Sequence, residues 1–378
     1  MISYTARICD PFGQLLAEVA NFVDNPQGGG AALDYALTVG NVGALQLTLP
    51  ASFDSSLLRL DGRIGVWRSI NGRTPQLDGQ AIFFIRTWRY TETTTTVTAY
   101  SANELLRRRI IAYYAGSAFA AHTTPTSAGN LIKDLVSENM GSSISSADRI
   151  GAETQADIGA LLSIQADLND GTSLATQCAW RSLETVVRDL CDAATQVSNY
   201  MAFDIVAPTE QTLELRTYEF VRGVDHTASS DRPVILSPQR GSLENCVLLV
   251  DRSTEVTVGI AAGSGEGTSR ITASSIDTAR MGESPFNRRE AMGDYNNVSD
   301  PGALQDLADA LVRAGRPRTE FTADIIETDG ATRGIHYDLG DMVTAEFRGQ
   351  QYDCRLDVIG VTLGGGGQRS TARIRSLT

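Results

Sequence analysis

Apolar and polar positions change their period along the chain, and each change marks a predicted element. Ala36–Val39 and Ala44–Leu49 alternate every second residue and stop at Pro50, the pattern of half-buried strands. Arg63–Arg68 continues in that period up to Asn71-Gly72, a dipeptide that tolerates positive φ at both turn positions and so predicts a hairpin. Ala81–Tyr90 reads as a long aromatic strand. Ile82, Phe84, Trp88 and Tyr90 fall on one face, with Phe83 and Ile85 on the other, which predicts cover on both sides. β-branched Thr93–Tyr100 is its return partner.

The period then lengthens. Ser101 and Glu104 have capping-box spacing and predict a helix through Leu105, Leu106, Ile110 and Ile111 that carries Arg107-Arg108-Arg109. A second helix is predicted from Ala128 to Met140, with Leu131, Ile132, Leu135 and Val136 as its stripe. Residues 141–175, rich in Ser, Ala, Gly and Asp, read as a surface excursion. A third helix opens near Ser182, with Leu183, Val186, Val187, Leu190, Cys191 and Ala194 on one face. Strands are expected at Tyr200–Val206, Thr212–Tyr218, Cys246–Val250, Glu255–Ile260 and Ser269–Ile276, and residues 280–300 as polar turns. Asp300-Pro301 starts a helix with Leu304, Leu307, Leu311 and Val312 as its face, closed by Gly315 and Pro317. Phe321–Glu327, Met342–Phe347, Tyr352–Leu363 and Arg369–Ser376 read as the final strands, with Gly364–Gly367 as a hairpin tip.

A faint internal repeat organises these elements. Leu60-Asp61-Gly62-Arg63-Ile64-Gly65-Val66 matches Leu339-Gly340-Asp341-Met342-Val343-Thr344-Ala345 in pattern, and in both places a long strand and a return strand follow. The expected fold is therefore β-rich α+β, two related small β-barrels with α/β material inserted between them. The predicted boundaries are 1–100 for the first barrel, 101–225 for an α/β middle domain, 226–280 with 318–378 for the second barrel, and 281–317 for a loop-and-helix insertion.

Composition narrows the function. The 378 residues carry 45 acidic against 32 basic side chains, a net charge of −13, and 42% apolar residues, a balance that supports real cores. A pI near 4.8 argues against binding nucleic acid by phosphate neutralisation and against anionic membranes. No secretory leader or long apolar span is visible, so a soluble, unexported chain is expected. Cys9, Cys178, Cys191, Cys246 and Cys354 are scattered without a CxxC pair, which predicts free thiols rather than a zinc site or disulfide framework. Lys133 is the only lysine. A G- and C-rich genome gives that bias without any function, and arginine's planar fork also suits protein interfaces.

Candidate chemistry is sparse. His122, His226 and His336 form no HExxH pair, and no GxSxG elbow exists. Asp167–Gly171 resembles a calcium loop, but its Gly comes one position early and Cys178 stands where the bidentate Glu belongs, so a turn is the better reading. Gly263–Gly267 lacks the GK[ST] of a phosphate loop and reads as a mobile hairpin loop. The carboxylate pairs Asp338/Asp341 and Glu283/Glu290 are expected by chance among so many acids. Arg107–Arg109 and Arg288-Arg289 read as solvated faces, with an intersubunit salt-bridge site as the alternative. No catalytic, cofactor-binding or metal-ligating residue is predicted.

Three segments carry a resemblance: the strand–helix junction Tyr100–Ile111, the Arg289-Glu290 stretch before the Asp300 helix, and Tyr337–Asp341. With them the whole chain resembles the siphophage tail-associated (baseplate hub) protein family, similar in fold to the central hub protein of contractile phage baseplates. The resemblance implies a non-enzymatic homotrimer at the virion tail tip, assembled in the host cytoplasm, whose two tail-tube-like barrels per chain match a sixfold tube. It implies as partners the distal tail or tail-tube protein, the tape-measure protein and tip fibre or spike proteins. DNA would pass only in transit, with no specific nucleic-acid binding, no stable membrane binding and no cofactor. Many relatives carry a C-terminal peptidase, lysozyme or fibre module; this sequence ends at Thr378 after the last strand, so none is expected. A carbohydrate- or receptor-binding tail protein is the alternative, with Trp67, Trp88 and Trp180 as stacking candidates against a core role, and a hydrolase using an unrecognised carboxylate pair is a third reading.

Overall fold

The computed structural model describes residues 2–23, 30–113, 121–141, 148–150, 162–197, 199–364 and 367–376. Strand outweighs helix, 46% against 16%, so the chain is β-rich α+β. It divides into two compact units, residues 1–246 with 322–377, and residues 247–321.

The first unit begins with β1 (Ile2–Cys9), β2 (Leu15–Val19), β3 (Ala32–Thr38), β4 (Ala44–Pro50), β5 (Arg63–Ile70), β6 (Gln76–Tyr90) and β7 (Thr94–Ser101). Period two does what it predicts: Leu33, Tyr35 and Leu37 on β3, Leu45, Leu47 and Leu49 on β4, and Val97 and Ala99 on β7 all enter one core. The β5–β6 turn uses Asn71 and Gly72 at φ 51° and 74°. β6 is covered on both faces, but its pattern is read differently from the expectation. Ile82 and Phe84 face a helical core, whereas Phe83 and Ile85 face the strand core. A β-bulge against β7 between Ile85 and Thr87 then shifts the parity, so Trp88 packs with Phe83 and Ile85 instead of with Ile82.

The helix predicted after Ser101 is a correction. Only Glu104–Arg107 (α1) is helical, Ser101 belongs to β7, and the cap position is Asn103, whose side chain does not cap. Its amide instead donates from Nδ2 to the Asn41 carbonyl (2.8 Å) and to Asp204 Oδ1 (2.6 Å), and accepts from the Ile205 amide (2.8 Å). A side chain spent on three bonds to two distant segments, Asn41 and Asp204-Ile205, cannot also cap a long helix. The Ser101 hydroxyl is likewise taken, by the Gly43 amide at 2.8 Å.

The α/β layer follows: β8 (Ala121–Ser127), α2 (Ala128–Met140), β9 (Leu162–Ile164), β10 (Ser173–Gln177), α3 (Leu183–Val197), β11 (Met201–Val206) and β12 (Leu213–Glu219). The stripes predicted on α2 and α3 are buried together with Ile205 and Leu215 of the β11-β12-β9 sheet. Each such Leu or Val removed from water contributes about 1.5–3 kcal/mol. The excursion predicted over 141–175 is only partly visible. Residues 142–147 and 151–161 lie outside the described residues, and the rest includes β9 and β10.

After β13 (Asp225–His226), β14 (Ile235–Leu236) and β15 (Leu243–Asp251) come β16 (Val258–Ala262), β17 (Thr272–Ile276), α4 (Thr278–Met281), β18 (Glu290–Asp294) and α5 (Pro301–Ala314). The last five lie in the second unit. β16 pairs antiparallel with β17 and parallel with β18, and α5 closes the core through Leu304 and Ala308 against Ala261. α5 starts as predicted, with Pro301 in the first turn and Asp300 accepting from the Ala303 amide at 2.7 Å. β18, and the last two residues of α4, fall in the 280–300 region expected to be turns.

The chain ends with β19 (Arg318–Ile325), β20 (Met342–Phe347), β21 (Gln350–Gly364) and β22 (Gly367–Ser376). These join the N-terminal strands in one fourteen-stranded sheet ordered β15-β19-β22-β21-β3-β4-β7-β6-β5-β1-β2, with β20 on β21 and the short β13 and β14 on β20. The ladders form no closed ring among the described residues; the segment after β2 and the one before β3 meet in an isolated bridge from Phe22 to Ala31.

The repeat is visible in this order. β3-β4-β7-β6-β5 and β15-β19-β22-β21-β20 are two five-strand sets with the same neighbours and the same succession along the chain. The correspondence extends to single hydrogen bonds. The Asp61 amide donates to the Ile85 carbonyl (3.2 Å) and the Ile85 amide to the Gly62 carbonyl (2.8 Å). In the second set the Gly340 amide donates to Leu356 (2.8 Å) and the Leu356 amide to Asp341 (2.9 Å). Asp61 and Gly340 both have positive φ, 56° and 87°, and β6 and β21 are both 15 residues long with a bulge directly after Ile85 and Leu356.

His122 on β8 and Glu138 on α2 give this unit a pH signature. The His122 Nε2–Glu138 hydrogen bond (3.0 Å) raises the imidazole pKa above its ordinary 6.5, against burial, which lowers it. A raised histidine stabilises fully below its unfolded pKa and loses that contribution as pH rises through the folded one. Between about pH 6 and pH 8 the wild type should therefore lose up to ~1 kcal/mol relative to His122→Gln, measured by urea unfolding at each pH.

Candidate functional site

A network of buried charged residues lies between the N-terminal strands and the 327–341 segment, within the first unit. β6 sets the arrangement. Opposite Gly65–Trp67 it departs from regular pairing, with Gly79 and Gln80 at φ 58° and 52°. A side chain at Gly79 would be strained at this φ, and its Cβ, 2.6 Å from Leu37 Cδ1, would have to displace that side chain, so glycine eases the loop here. This loop presents Asp78 to the interior, where Oδ2 accepts from Tyr35 OH (2.6 Å) and Arg333 Nη2 (2.7 Å).

Arg333 is fully buried and Asp78 only 7% exposed. The Arg333 carbonyl in turn accepts from Arg68 Nη1 (2.5 Å), and Arg68 is also paired with Glu327 and lies over the Tyr4 ring at 5.7 Å. A neighbouring arginine repeats the theme. Arg222 donates from Nε to Asp204 Oδ2 (2.8 Å) and from Nη1 to the Leu339 carbonyl (2.9 Å). Asp341 accepts from the Val224 amide at Oδ1 and from the Asp338 amide at Oδ2, both 2.6 Å. Burial pushes the carboxyls of Asp204, Asp338 and Asp341 above the usual carboxylate range, partly opposed by Arg222 at Asp204, by Arg333 at Asp338 and by the two backbone amides at Asp341.

These groups hold structure; their geometry provides no nucleophile–base pair. Asp338 and Asp341, singled out in the sequence, do meet, but as two ends of one turn. Glu283 pairs with Arg252 (2.6 Å) and Glu290 with Arg288 (2.8 Å). His226 Nδ1 lies 2.9 Å from the Arg232 carbonyl, and His336 Nδ1 accepts from the Thr332 amide at 2.9 Å. Burial pushes the thiols of Cys9 and Cys354 up to about 12, and that of Cys191 higher still, which keeps all three protonated. No cluster of three or more His, Cys, Asp or Glu positioned for a metal occurs among the described residues. No helix there is long and apolar enough to cross a membrane.

The remaining candidates are dispersed. The Asp167–Gly171 segment is irregular backbone ending in a bend, with Asp170 Oδ2 accepting from the Thr217 hydroxyl at 2.8 Å and Asn169 and Gly171 at positive φ. Arg108 of the basic run pairs within the chain with Glu104 and Asp61, and Arg289 donates to the Ser253 carbonyl. Trp67 is occupied by Arg7 stacked at 4.4 Å and by its Nε1 hydrogen bond to Glu210 (2.7 Å), while Trp88 packs on the strand core and Trp180 is 56% exposed on a loop. Sequence reasoning passed over Arg63, Arg68, Arg222 and Arg333. The one pointer to them was the near absence of lysine, since a buried cation that must reach two or three acceptors in a plane is better served by guanidinium.

With this geometry in place, the fold can be classed: it is that of phage tail proteins. The 43 kDa tail protein of prophage MuSo2 from Shewanella oneidensis matches with a TM-score of 0.60 at 10% identity, over 98% of each chain. The tail protein from Neisseria meningitidis MC58 matches at 0.58 and 11% identity, over 100% of this chain and 97% of the other. Prophage tail protein gp18 from Listeria monocytogenes EGD-e matches at 0.50 and 11%, over 100% and 95%. No curated protein matches the chain. Residues 82–374 match the model of the Siphovirus ReqiPepy6 Gp37-like protein family, and the chain belongs to that family of siphovirus tail proteins.

The buried pair makes a sharp prediction. Asp78→Ala strands Arg333 without its carboxylate and should cost about 3–5 kcal/mol in denaturant unfolding. Replacing both together, as Asp78→Leu with Arg333→Met, should cost several-fold less than the sum of the two single replacements, which a double-mutant cycle reads directly.

Proposed function

We propose that this tail protein is a trimeric hub that closes the distal end of a phage tail tube and adapts its sixfold symmetry to the threefold symmetry of the tip. The observation that carries this reading is the duplicated five-strand set within one chain. A threefold particle meets a sixfold ring most simply by offering two equivalent contacts per subunit, and a duplicated unit supplies them. On this reading each set contributes one tube-like β-barrel unit, one from the N-terminal hundred residues and one from the C-terminal strands. The distal tail or tail-tube protein, the tape-measure protein and tip fibre or spike proteins are its neighbours in the virion. The net charge of −13 fits a channel whose wall repels DNA in transit. Its role is structural, and the buried carboxylates serve the fold. Sugar recognition is less favoured, because Trp67 and Trp88 are committed to packing.

The mass of the purified chain in solution, with negative-stain imaging, tests this. Three times 40.5 kDa and a ring with a central channel are expected. A compact dimer without a channel overturns the reading.

A further inference from the structure

The two sets are equivalent in order but not in how their edges are used. In the second set, the first half of β21 pairs with β20 through Gln350–Arg355. Beyond the bulge, the same edge of β21 carries a different partner, because Val358–Leu363 pair antiparallel with Thr38–Leu33 of β3. That ladder joins the two sets. In the first set, β6 pairs with β5 through Gln76–Phe84 and then passes its own bulge. From Arg86 to Tyr90 the corresponding edge of β6 has no ladder among the described residues. The counterpart of β3 in the second set is β15, the terminal strand of the sheet, whose outer edge likewise has no ladder among the described residues.

We infer that the free edge of β6 beyond its bulge receives β15 of a second copy of this chain, in the same way that β21 receives β3 within the chain. The junction is head-to-tail, so it does not end at a pair, and a threefold rotation closes it into the ring of the hub reading. This inference rests on the hub reading and names the contact that builds it.

Two features identify a second copy as the occupant. The internal β21–β3 ladder is a built example of the same edge meeting the same type of strand. In addition, the Cys246–Val250 stretch of β15 is unguarded: the charged Glu244 and Asp251 and the positive-φ Asn245 lie outside it, it holds neither Lys nor Pro, and its Val247, Leu249 and Val250 are 59%, 53% and 57% exposed. Edge strands left free in solution normally carry such guards, because unpaired backbone groups beside apolar side chains recruit other strands. Tyr90, at the end of the β6 edge, is 56% exposed as well.

The experiment uses the full chain with Cys246→Ala as background. The double variant Val247→Lys/Leu249→Lys changes side chains that already face solvent, so the fold, checked by circular dichroism, is retained while the mass falls from three chains to one. Separately, chains carrying Arg89→Cys and chains carrying Leu249→Cys are treated with a short bis-maleimide, alone and mixed. Covalent dimers are expected in the mixture and not in either sample alone. If the parent is trimeric, the lysine variant stays trimeric and the mixture does not link, the edge pairing is wrong while the hub reading stands. If each variant links only to itself in a two-fold dimer, both are wrong.

Discussion

A strand edge is a row of backbone donors and acceptors that must be satisfied, and the β21–β3 ladder is where this protein meets that requirement for both of its halves at once. Without it, β3 and the distal half of β21 would each present an open edge over apolar neighbours. With it, Ile359, Val361 and Leu363 of β21 join Leu33, Tyr35 and Leu37 of β3 in one core. The bulge after Leu356 makes this possible, because it releases β21 from β20 and re-aims the strand.

The arginine network secures the same union from inside. Arg333 comes from the C-terminal part of the chain and Asp78, Tyr35, Arg68 and Tyr4 from the N-terminal strands, so the buried charges are paired only when the two halves are assembled. An apolar core of the same volume would be at least as stabilising. What the ionic version adds is selectivity, since a slipped β6 would leave a guanidinium in a low-dielectric interior without its carboxylate. Gly340 serves the neighbouring arm of the network: at φ 87° it lies against Arg222, and a Cβ there would come within 2.7 Å of that side chain.

Much of this was legible in advance, for physical reasons that differ by element. The stripes of α2, α3 and α5 could be read because a helix buries one face at a fixed period. The Asn71-Gly72 turn could be read because few residues accept its dihedrals. β6 was misjudged beyond Ile85 because period two assumes unbroken pairing, and a bulge inserts a residue without any residue-type signature. The helix after Ser101 was overestimated because Ser101 and Asn103 have tertiary partners, and such partners override local capping. β1 and β2 were not resolved as elements, although Tyr4, Ala6 and Ile8 alternate correctly. The buried arginines were hidden for a simpler reason. A charge in a sequence reads as surface, and only the acceptors converging on it from other strands reveal that it is interior.

The duplication is unequal in one further respect, and that inequality bears on symmetry. Between β3 and β4 the chain turns through residues 39–43, whereas between β15 and β19 it runs through residues 252–317, most of the compact unit 247–321. An insertion whose ends fall on successive strands of a repeat adds little closure cost, because loop entropy grows only with the logarithm of length. Two duplicates can therefore keep a common strand order while one of them carries an extra unit. In the trimeric ring proposed above, the strand sets would repeat six times and the extra unit three times, so the sheet would supply the higher symmetry and the insertion would lower it within one polypeptide.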